Sequence, residues 1–130
     1  MQSHQPKIGI LVLTDYPRNL QNAGHRQLHR QIIRFDDILW ITTDDAKINY
    51  VRIVANDSRE GLLNISMNGI LDELPPYFVR ISNAYIVNIT HDDFKGLINS
   101  SILIAGGKRL SISHTYRESV RRVLEAFYIM

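Results

Sequence analysis

Short apolar runs, several of them alternating with polar residues, follow one another along the chain and are separated by turn-forming residues. Alternation with a period of two is typical of half-buried β-strands, and short continuous apolar runs are typical of buried ones. The pattern therefore predicts a mainly β protein. The predicted strands are Ile8–Thr14, Gln27–Arg34, Ile38–Thr42, Lys47–Ala55, Leu62–Met67, Phe78–Ile81, Tyr85–Ile89, Phe94–Ile98, Ile102–Ile104 and Lys108–Ile112.

Two segments predict helices instead. A short internal helix, Asn68–Leu74, ends before two prolines, because proline cannot continue a helix. The C-terminal segment predicts a longer helix: Ser113 or Thr115 can cap it, and Glu118 follows Thr115 at the spacing of a capping box. Its apolar side chains recur at helical spacing and form one stripe, which consists of Tyr116, Val120, Val123, Leu124 and Phe127.

Composition narrows the class of protein. With 130 residues, 45% of them hydrophobic, the chain has the size and the apolar content of one domain. It lacks cysteine, which excludes disulfides and thiolate chemistry and is compatible with a reducing compartment. No apolar run approaches the roughly 20 residues of a membrane-spanning helix. We therefore expect a cytoplasmic protein without membrane insertion.

The net charge of +2 hides an uneven distribution. Residues 1–34 carry +4, residues 35–75 carry −5 and residues 76–130 carry +3. Most of the basic residues are arginine, whose planar guanidinium suits phosphates and guanine edges. Two basic regions thus flank an acidic one, which is compatible with a nucleic-acid partner and also with an ordinary solvated surface.

Candidate catalytic groups do not converge in the sequence. It contains none of the common nucleophile-elbow, phosphate-loop or zinc-helix motifs. His25 and His29 lie four residues apart, and His91 precedes Asp92 and Asp93, so a small metal-dependent hydrolase is one alternative. The residues around both groups predict loops and turns, in which neighbouring side chains point apart. We therefore expect a protein that is not an enzyme and uses no metal or cofactor.

Three predicted connections carry side chains suited to DNA, namely Asp44–Lys47, Ser82-Asn83 and Ser113-His114. Lys, Asn and His can read base edges, and neighbouring Ser and Thr hydroxyls can bind phosphates. Polar loops between rigid strands therefore favour a DNA-binding surface. The alternative is a β-rich protein-interaction or sensing module.

A family resemblance supports the DNA-binding interpretation. The segment FVRISNAYIVNI, residues 78–89, resembles the signature of the LytTR-type DNA-binding domain of bacterial transcription regulators. The segment DDILWI, residues 36–41, resembles an early strand of that family, and SMNGILDELPPYF, residues 66–78, resembles its short helix. GGKRLSISHTY, residues 106–116, is similar to its last strand and helix start. These pieces occur in the expected order over roughly residues 27–127.

The resemblance implies an elongated fold of packed β-sheets that places loops in successive major grooves of DNA. It implies base-reading side chains in three loops, which are Lys47 and Asn49, Asn83, and His114. It also implies phosphate contacts, which are Arg80, Ser82, Arg109, Ser113 and Arg117. For Arg80, an alternative is that this strand residue supports the second loop from behind.

The resemblance further suggests how the chain is divided and controlled. Residues 1–26 lie outside it and are expected to form an extension of a strand and a loop, in which Ile8–Leu13 could add an edge strand or a dimer contact. Residues 27–130 would form the LytTR-like domain. Such domains usually follow a receiver domain in response regulators. We therefore expect the C-terminal piece of a longer regulator, or a stand-alone protein that is controlled by a regulatory protein partner or by its own abundance. We expect two copies on direct repeats of double-stranded DNA, because one small module rarely covers enough base pairs.

Overall fold

The computed structural model describes residues 5–15 and 28–130. These residues form ten strands and two α-helices, joined by turns and short 3-10 segments. The strands are β1 Gly9–Asp15, β2 Leu28–Arg34, β3 Ile38–Thr43, β4 Val51–Ala55, β5 Glu60–Leu63, β6 Phe78–Arg80, β7 Tyr85–Asn88, β8 Phe94–Ile98, β9 Ser101–Ile104 and β10 Lys108–Ser111. The helices are α1 Met67–Leu71 and α2 Arg117–Phe127.

The strands form two antiparallel sheets. The larger has seven strands in the order β2-β1-β5-β4-β3-β7-β6, and the smaller has the order β10-β9-β8. The predicted class, mainly β with a short internal helix and a C-terminal helix, is confirmed. The three-stranded sheet is a simple meander. In the larger sheet β7 lies between β3 and β6 and pairs with both, so the spatial order of the strands differs from their order along the chain.

Two predicted strands have different boundaries. Lys47–Ala55 is a strand only from Val51 onward, because Asn49 adopts a left-handed φ of 66° that a strand does not allow. Leu62–Met67 is also wrong as a strand: β5 ends at Leu63, and Met67 already belongs to α1. The hydroxyl of Ser66 accepts a 3.0 Å hydrogen bond from the amide of Gly69, which caps α1 and starts it earlier than the sequence predicts.

The predicted capping of the C-terminal helix is wrong. Residues 114–116 form a 3-10 turn, and α2 begins at Arg117 without a side-chain cap. The carbonyl of Ser113 accepts the Tyr116 amide at 2.9 Å, so the backbone itself satisfies this end of the helix. Glu118 pairs with Arg121, which lowers the pKa of Glu118, instead of closing a capping box. Phe127, at the end of the predicted apolar stripe, is 41% exposed.

Two hydrophobic cores lie on opposite faces of the larger sheet. On β6 and β7, Phe78 and Ile86 point to one core, whereas their neighbours Val79 and Val87 point to the other. The first core is covered by α1. The second is covered by the three-stranded sheet and by α2. Strands β3, β7 and β6 are therefore buried on both sides, which holds the ends of these strands in fixed positions.

A buried asparagine anchors β7 within this arrangement. The side chain of Asn88 is fully buried, and its Nδ2 donates to the carbonyl of Ile38 at 2.9 Å and to that of Phe35 at 3.3 Å. Its Oδ1 accepts from both the amide and the hydroxyl of Thr90, each at 2.9 Å. Asn88 thereby joins the end of β7 to the corner between β2 and β3.

The first strand lies inside the larger sheet. β1 pairs along its length with β2 and contacts β5 through Leu13 and Leu62, so that β2 is the edge strand. Val12 is fully buried and lies against Gly61: a Cβ at position 61 would lie 2.1 Å from Cγ2 of Val12. This close approach requires glycine. The expectation that Ile8–Leu13 adds an edge strand is therefore wrong, whereas the division at residue 26 and the dimer contact stay predictions.

We expect Gly61→Ala to lower the free energy of unfolding by about 1–3 kcal/mol, because the added methyl group overlaps Val12. Urea unfolding measures the loss. In the double variant with Val12→Ala, the loss should be smaller than the sum of the two single losses, since the truncated valine makes room. An unchanged stability of Gly61→Ala would show that β1 does not pack on β5 in solution.

Candidate nucleic-acid interface

Three polar connections lie side by side at one edge of the larger sheet. The first loop, residues 44–50, joins β3 to β4; the second loop, residues 81–84, joins β6 to β7; and the third loop, residues 112–116, joins β10 to α2. The amide of Thr43 donates to the carbonyl of Ala84 at 3.2 Å, and the amide of Ser113 donates to the carbonyl of Ile81 at 2.8 Å. The second loop is thus bonded on one side to the end of β3, from which the first loop begins, and on the other side to the third loop.

The first loop is held at its base by a carboxylate. Asp44 has a side chain that is 5% exposed, and its Oδ1 accepts a 2.8 Å bond from Nη2 of Arg52. This hydrogen bond lowers the pKa of Asp44, and the amides of Lys47 and Ala46 act in the same direction, so the carboxylate stays ionised at neutral pH. Arg52 also pairs with Glu60 at 2.8 Å. Arg52 therefore joins two carboxylates at the base of the loop, and this group of three keeps one negative charge.

The tip of the first loop carries the predicted base readers. Lys47 and Asn49 are exposed, and the ammonium group of Lys47 lies 5.1 Å from the centre of the Tyr50 ring. Asn is one of the few residues that tolerates the left-handed conformation observed at position 49. The fold thus presents one amide and one ammonium group to solvent at this end of the β3–β4 hairpin.

The second loop is organised by Arg80. Its Nε donates to the carbonyl of Ser82 and its Nη2 to that of Asn83, each at 3.1 Å, while Nη1 donates to Oδ1 of Asn68 on α1. The guanidinium lies 5.5 Å from the centre of the Tyr116 ring. These contacts agree with the alternative in which Arg80 supports the loop, and its phosphate contact stays a prediction.

The second and third loops share a side-chain contact. The hydroxyl of Tyr116 donates to Oδ1 of Asn83 at 3.3 Å. Within the second loop, the Ser82 hydroxyl accepts a 3.2 Å bond from the amide of Ala84 and keeps its own proton for donation. Asn83 is therefore fixed by both its main chain and its side chain.

The remaining predicted residues occupy the third loop and its surroundings. Ser113, His114 and Arg117 are exposed, and Arg117 has no ion-pair partner among the described residues. Arg109 is exposed on β10 and alternates with the buried Leu110. It lies on the outer face of the smaller sheet, and no contact among the described residues joins it to the three loops.

Sequence reasoning missed two residues of this site. Asn68 was assigned to a helix and Tyr116 to an apolar stripe, and nothing in either segment indicates a contact with the second loop. They lie 12 and 36 residues from Arg80 in the chain, so only the fold brings them together. The one usable signal in the sequence is an arginine at the end of a strand, directly before a polar loop, because such an arginine needs hydrogen-bond acceptors nearby.

The histidine of one alternative metal site, His91, makes hydrogen bonds within the fold. His91 is buried; its Nδ1 accepts the Asp93 amide at 2.9 Å, and its Nε2 contacts Oδ1 of Asn56. Both ring nitrogens are thus engaged within the fold. Across residues 5–15 and 28–130, no group of three metal-ligating side chains is found. His25 and the side chain of His29 lie outside the described residues.

Comparisons with known proteins identify the family and agree with the fold. The family model of the LytTr DNA-binding domain matches residues 29–125. Among four matching solved chains is a LytTr DNA-binding domain of a response regulator from Bacillus cereus. It is 18% identical, has a TM-score of 0.66, and the match covers 91% of this chain and 97% of that one. No curated protein matches the sequence. In the described part of the chain, no helix has the length and apolarity needed to cross a membrane.

The resemblance seen in the sequence is thereby confirmed, and its order of segments corresponds to the strands and helices of the fold. Since the family model covers most of the sequence, this chain belongs to the family of LytTR DNA-binding domains.

Proposed function

We propose that this protein is a sequence-specific transcription regulator whose three loops enter successive major grooves of double-stranded DNA. The observation that carries the proposal is the row of polar loops at one edge of a LytTR domain, joined by hydrogen bonds from Thr43 to Ala84 and from Ser113 to Ile81. Loops joined by these hydrogen bonds can approach DNA as one unit, which reduces the entropy lost on binding.

The side chains at the loop tips match the chemistry of base edges. Lys47 can donate to guanine O6 and N7, and the amides of Asn49 and Asn83 can each donate to and accept from adenine. His114 supplies a ring nitrogen that can donate to or accept from a base. All four lie on segments between secondary-structure elements, where binding residues concentrate.

Phosphate contacts would flank these readers. Ser113 and Arg117 are exposed next to His114, and Ser82 can donate its hydroxyl proton beside Asn83. Arg80 uses three of its five N–H groups inside the protein, which leaves two for a phosphate oxygen. Arg109, on the outer face of β10, would meet a phosphate farther along the backbone.

Two copies would bind together on direct repeats in the bacterial cytoplasm. One domain of this size contacts few base pairs, and a second copy multiplies the specificity. A solved relative of the same fold comes from a response regulator, so we propose that a signalling partner controls this domain. The proposed activity is binding without catalysis, and it uses no cofactor.

Selection of bound duplexes from a random library tests the proposal directly. The expected result is an enriched short motif that repeats at about one helical turn, roughly 10.5 base pairs. Titration with salt should then separate specific from non-specific binding. Absence of any enriched motif would contradict the proposal and would favour the alternative of a protein-interaction module.

Asn83→Ala should weaken binding to the selected duplex by about 1–3 kcal/mol, because the bidentate contact to a base is lost. Binding to a random duplex of the same length should stay nearly unchanged. Fluorescence anisotropy on both duplexes measures the difference. Equal losses on the two duplexes would remove Asn83 from the base-reading residues.

Arg117→Ala should weaken binding to both duplexes. The plot of log affinity against log salt concentration should become less steep, its negative slope losing about one unit of magnitude. The matched control is Arg122→Ala, which removes the same charge from the same helix, where Arg122 pairs with Glu118 at 3.5 Å. The same slope change in both variants would show that only the overall charge matters, not a contact by Arg117.

Arg80→Lys separates support of the loop from contact with phosphate. Lysine keeps the charge but cannot reach two carbonyls and Asn68 at once. We expect a loss of about 1–3 kcal/mol on the selected duplex, with an unchanged salt slope. Wild-type affinity for the selected duplex would contradict a supporting role, because the charge alone would then suffice.

A further inference from the structure

We infer that Tyr116 is a specificity-determining positioning residue, whose hydroxyl fixes the orientation of the Asn83 amide toward adenine. The inference rests on the proposed function, since it assumes that Asn83 reads a base. It assigns a role to a residue that would itself touch no base. The contact that carries it is the 3.3 Å hydrogen bond from the Tyr116 hydroxyl to Oδ1 of Asn83.

The ring and the main chain of Tyr116 each have a contact that holds them in place. The guanidinium of Arg80 lies 5.5 Å from the ring centre, and the Tyr116 amide donates to the carbonyl of Ser113 at 2.9 Å. The side chain of Tyr116 is half-buried. Tyr116 is thus fixed before any DNA contact is made.

Arg80 connects this ring to the main chain of the same loop. Its bonds to the carbonyls of Ser82 and Asn83 fix the backbone on which the Asn83 side chain stands. Its third bond reaches Asn68 on α1, a helix that is buried through Met67 and Ile70. The backbone and the amide of the reader are therefore held by one continuous set of contacts, from α1 to the start of α2.

The chemistry of the amide explains why its orientation matters. An asparagine amide that rotates by 180° exchanges its acceptor and its donor. Adenine requires one acceptor and one donor from the protein, whereas guanine offers only acceptors in the major groove. In the observed arrangement the Tyr116 hydroxyl donates to one lone pair of Oδ1, which holds the amide in place and leaves the second lone pair and both N–H groups for the base. A fixed amide therefore selects adenine.

Tyr116→Phe tests the inference, because it removes the hydroxyl and keeps the ring beside Arg80. On the duplex selected from a random library, affinity should fall roughly three- to tenfold, the effect of one lost hydrogen bond. Affinity for a random duplex should change less than about twofold, since no phosphate contact is lost. Among duplexes in which each A·T pair is changed in turn to G·C, the one changed at the pair that Asn83 contacts should show a smaller penalty with the variant than with the wild type.

The decisive arm combines the substitution with Asn83→Ala. If Tyr116 acts through Asn83, Tyr116→Phe should have no further effect in the Asn83→Ala background. A matched control is Tyr128→Phe, which removes another tyrosine hydroxyl, one that donates to the carbonyl of Ile89 at 2.6 Å. Tyr128 lies about 18 Å from Tyr116 along the helix. This control should leave the preference for the selected duplex unchanged, whatever it does to the urea midpoint.

The outcomes separate the two claims. Equal losses from Tyr116→Phe with and without Asn83, or wild-type affinity of Tyr116→Phe, would overturn the positioning role while the base contact of Asn83 stands. Wild-type affinity of Asn83→Ala alone would instead remove the base contact, and the inference with it. A loss confined to the background that contains Asn83 supports the inference.

Discussion

The position of β7 between β3 and β6 determines where the polar loops lie, and the buried Asn88 fixes that position. Its amide satisfies two carbonyls at the corner between β2 and β3, and its oxygen satisfies two donors of Thr90. Buried polar groups are costly when unpaired, so any shift of β7 along β3 would break this set. At the other end of β7, the second loop therefore lies beside the end of β3, at a distance set by the pairing of β3 with β7.

The loop end of β7 is organised by charge rather than by apolar burial. Arg80 binds two carbonyls and one amide oxygen with a planar group that lysine does not have. At the first loop, the ion pair of Asp44 with Arg52 serves the same purpose. Backbone carbonyls that would otherwise face water are thereby satisfied within the protein. The tips of the loops remain free to bind a ligand without first becoming ordered.

Sequence patterns predicted most strands because alternation reports burial on one or two faces. They failed where a local conformation overrode the pattern. The left-handed Asn49 delays the start of the strand predicted from Lys47, and a backbone-bonded 3-10 turn replaces the predicted cap of α2. The predicted base readers could be placed because the family resemblance covers their segments. Asn68 and Tyr116 could not, because their roles depend on contacts between segments that are far apart in the chain.

The three loops differ in how freely their readers can change. Lys47 and His114 lie at exposed tips, so a substitution there would alter the proposed base contact without disturbing the fold. Asn83 is bonded to Tyr116, and its carbonyl is bonded to Arg80, so a change of this residue also alters the supporting contacts. Since specificity is a difference of affinities, the outer loops can move to new bases by single substitutions, whereas the central loop requires coordinated ones. We therefore expect the preference at the centre of the binding site to be the most constrained part of its DNA recognition.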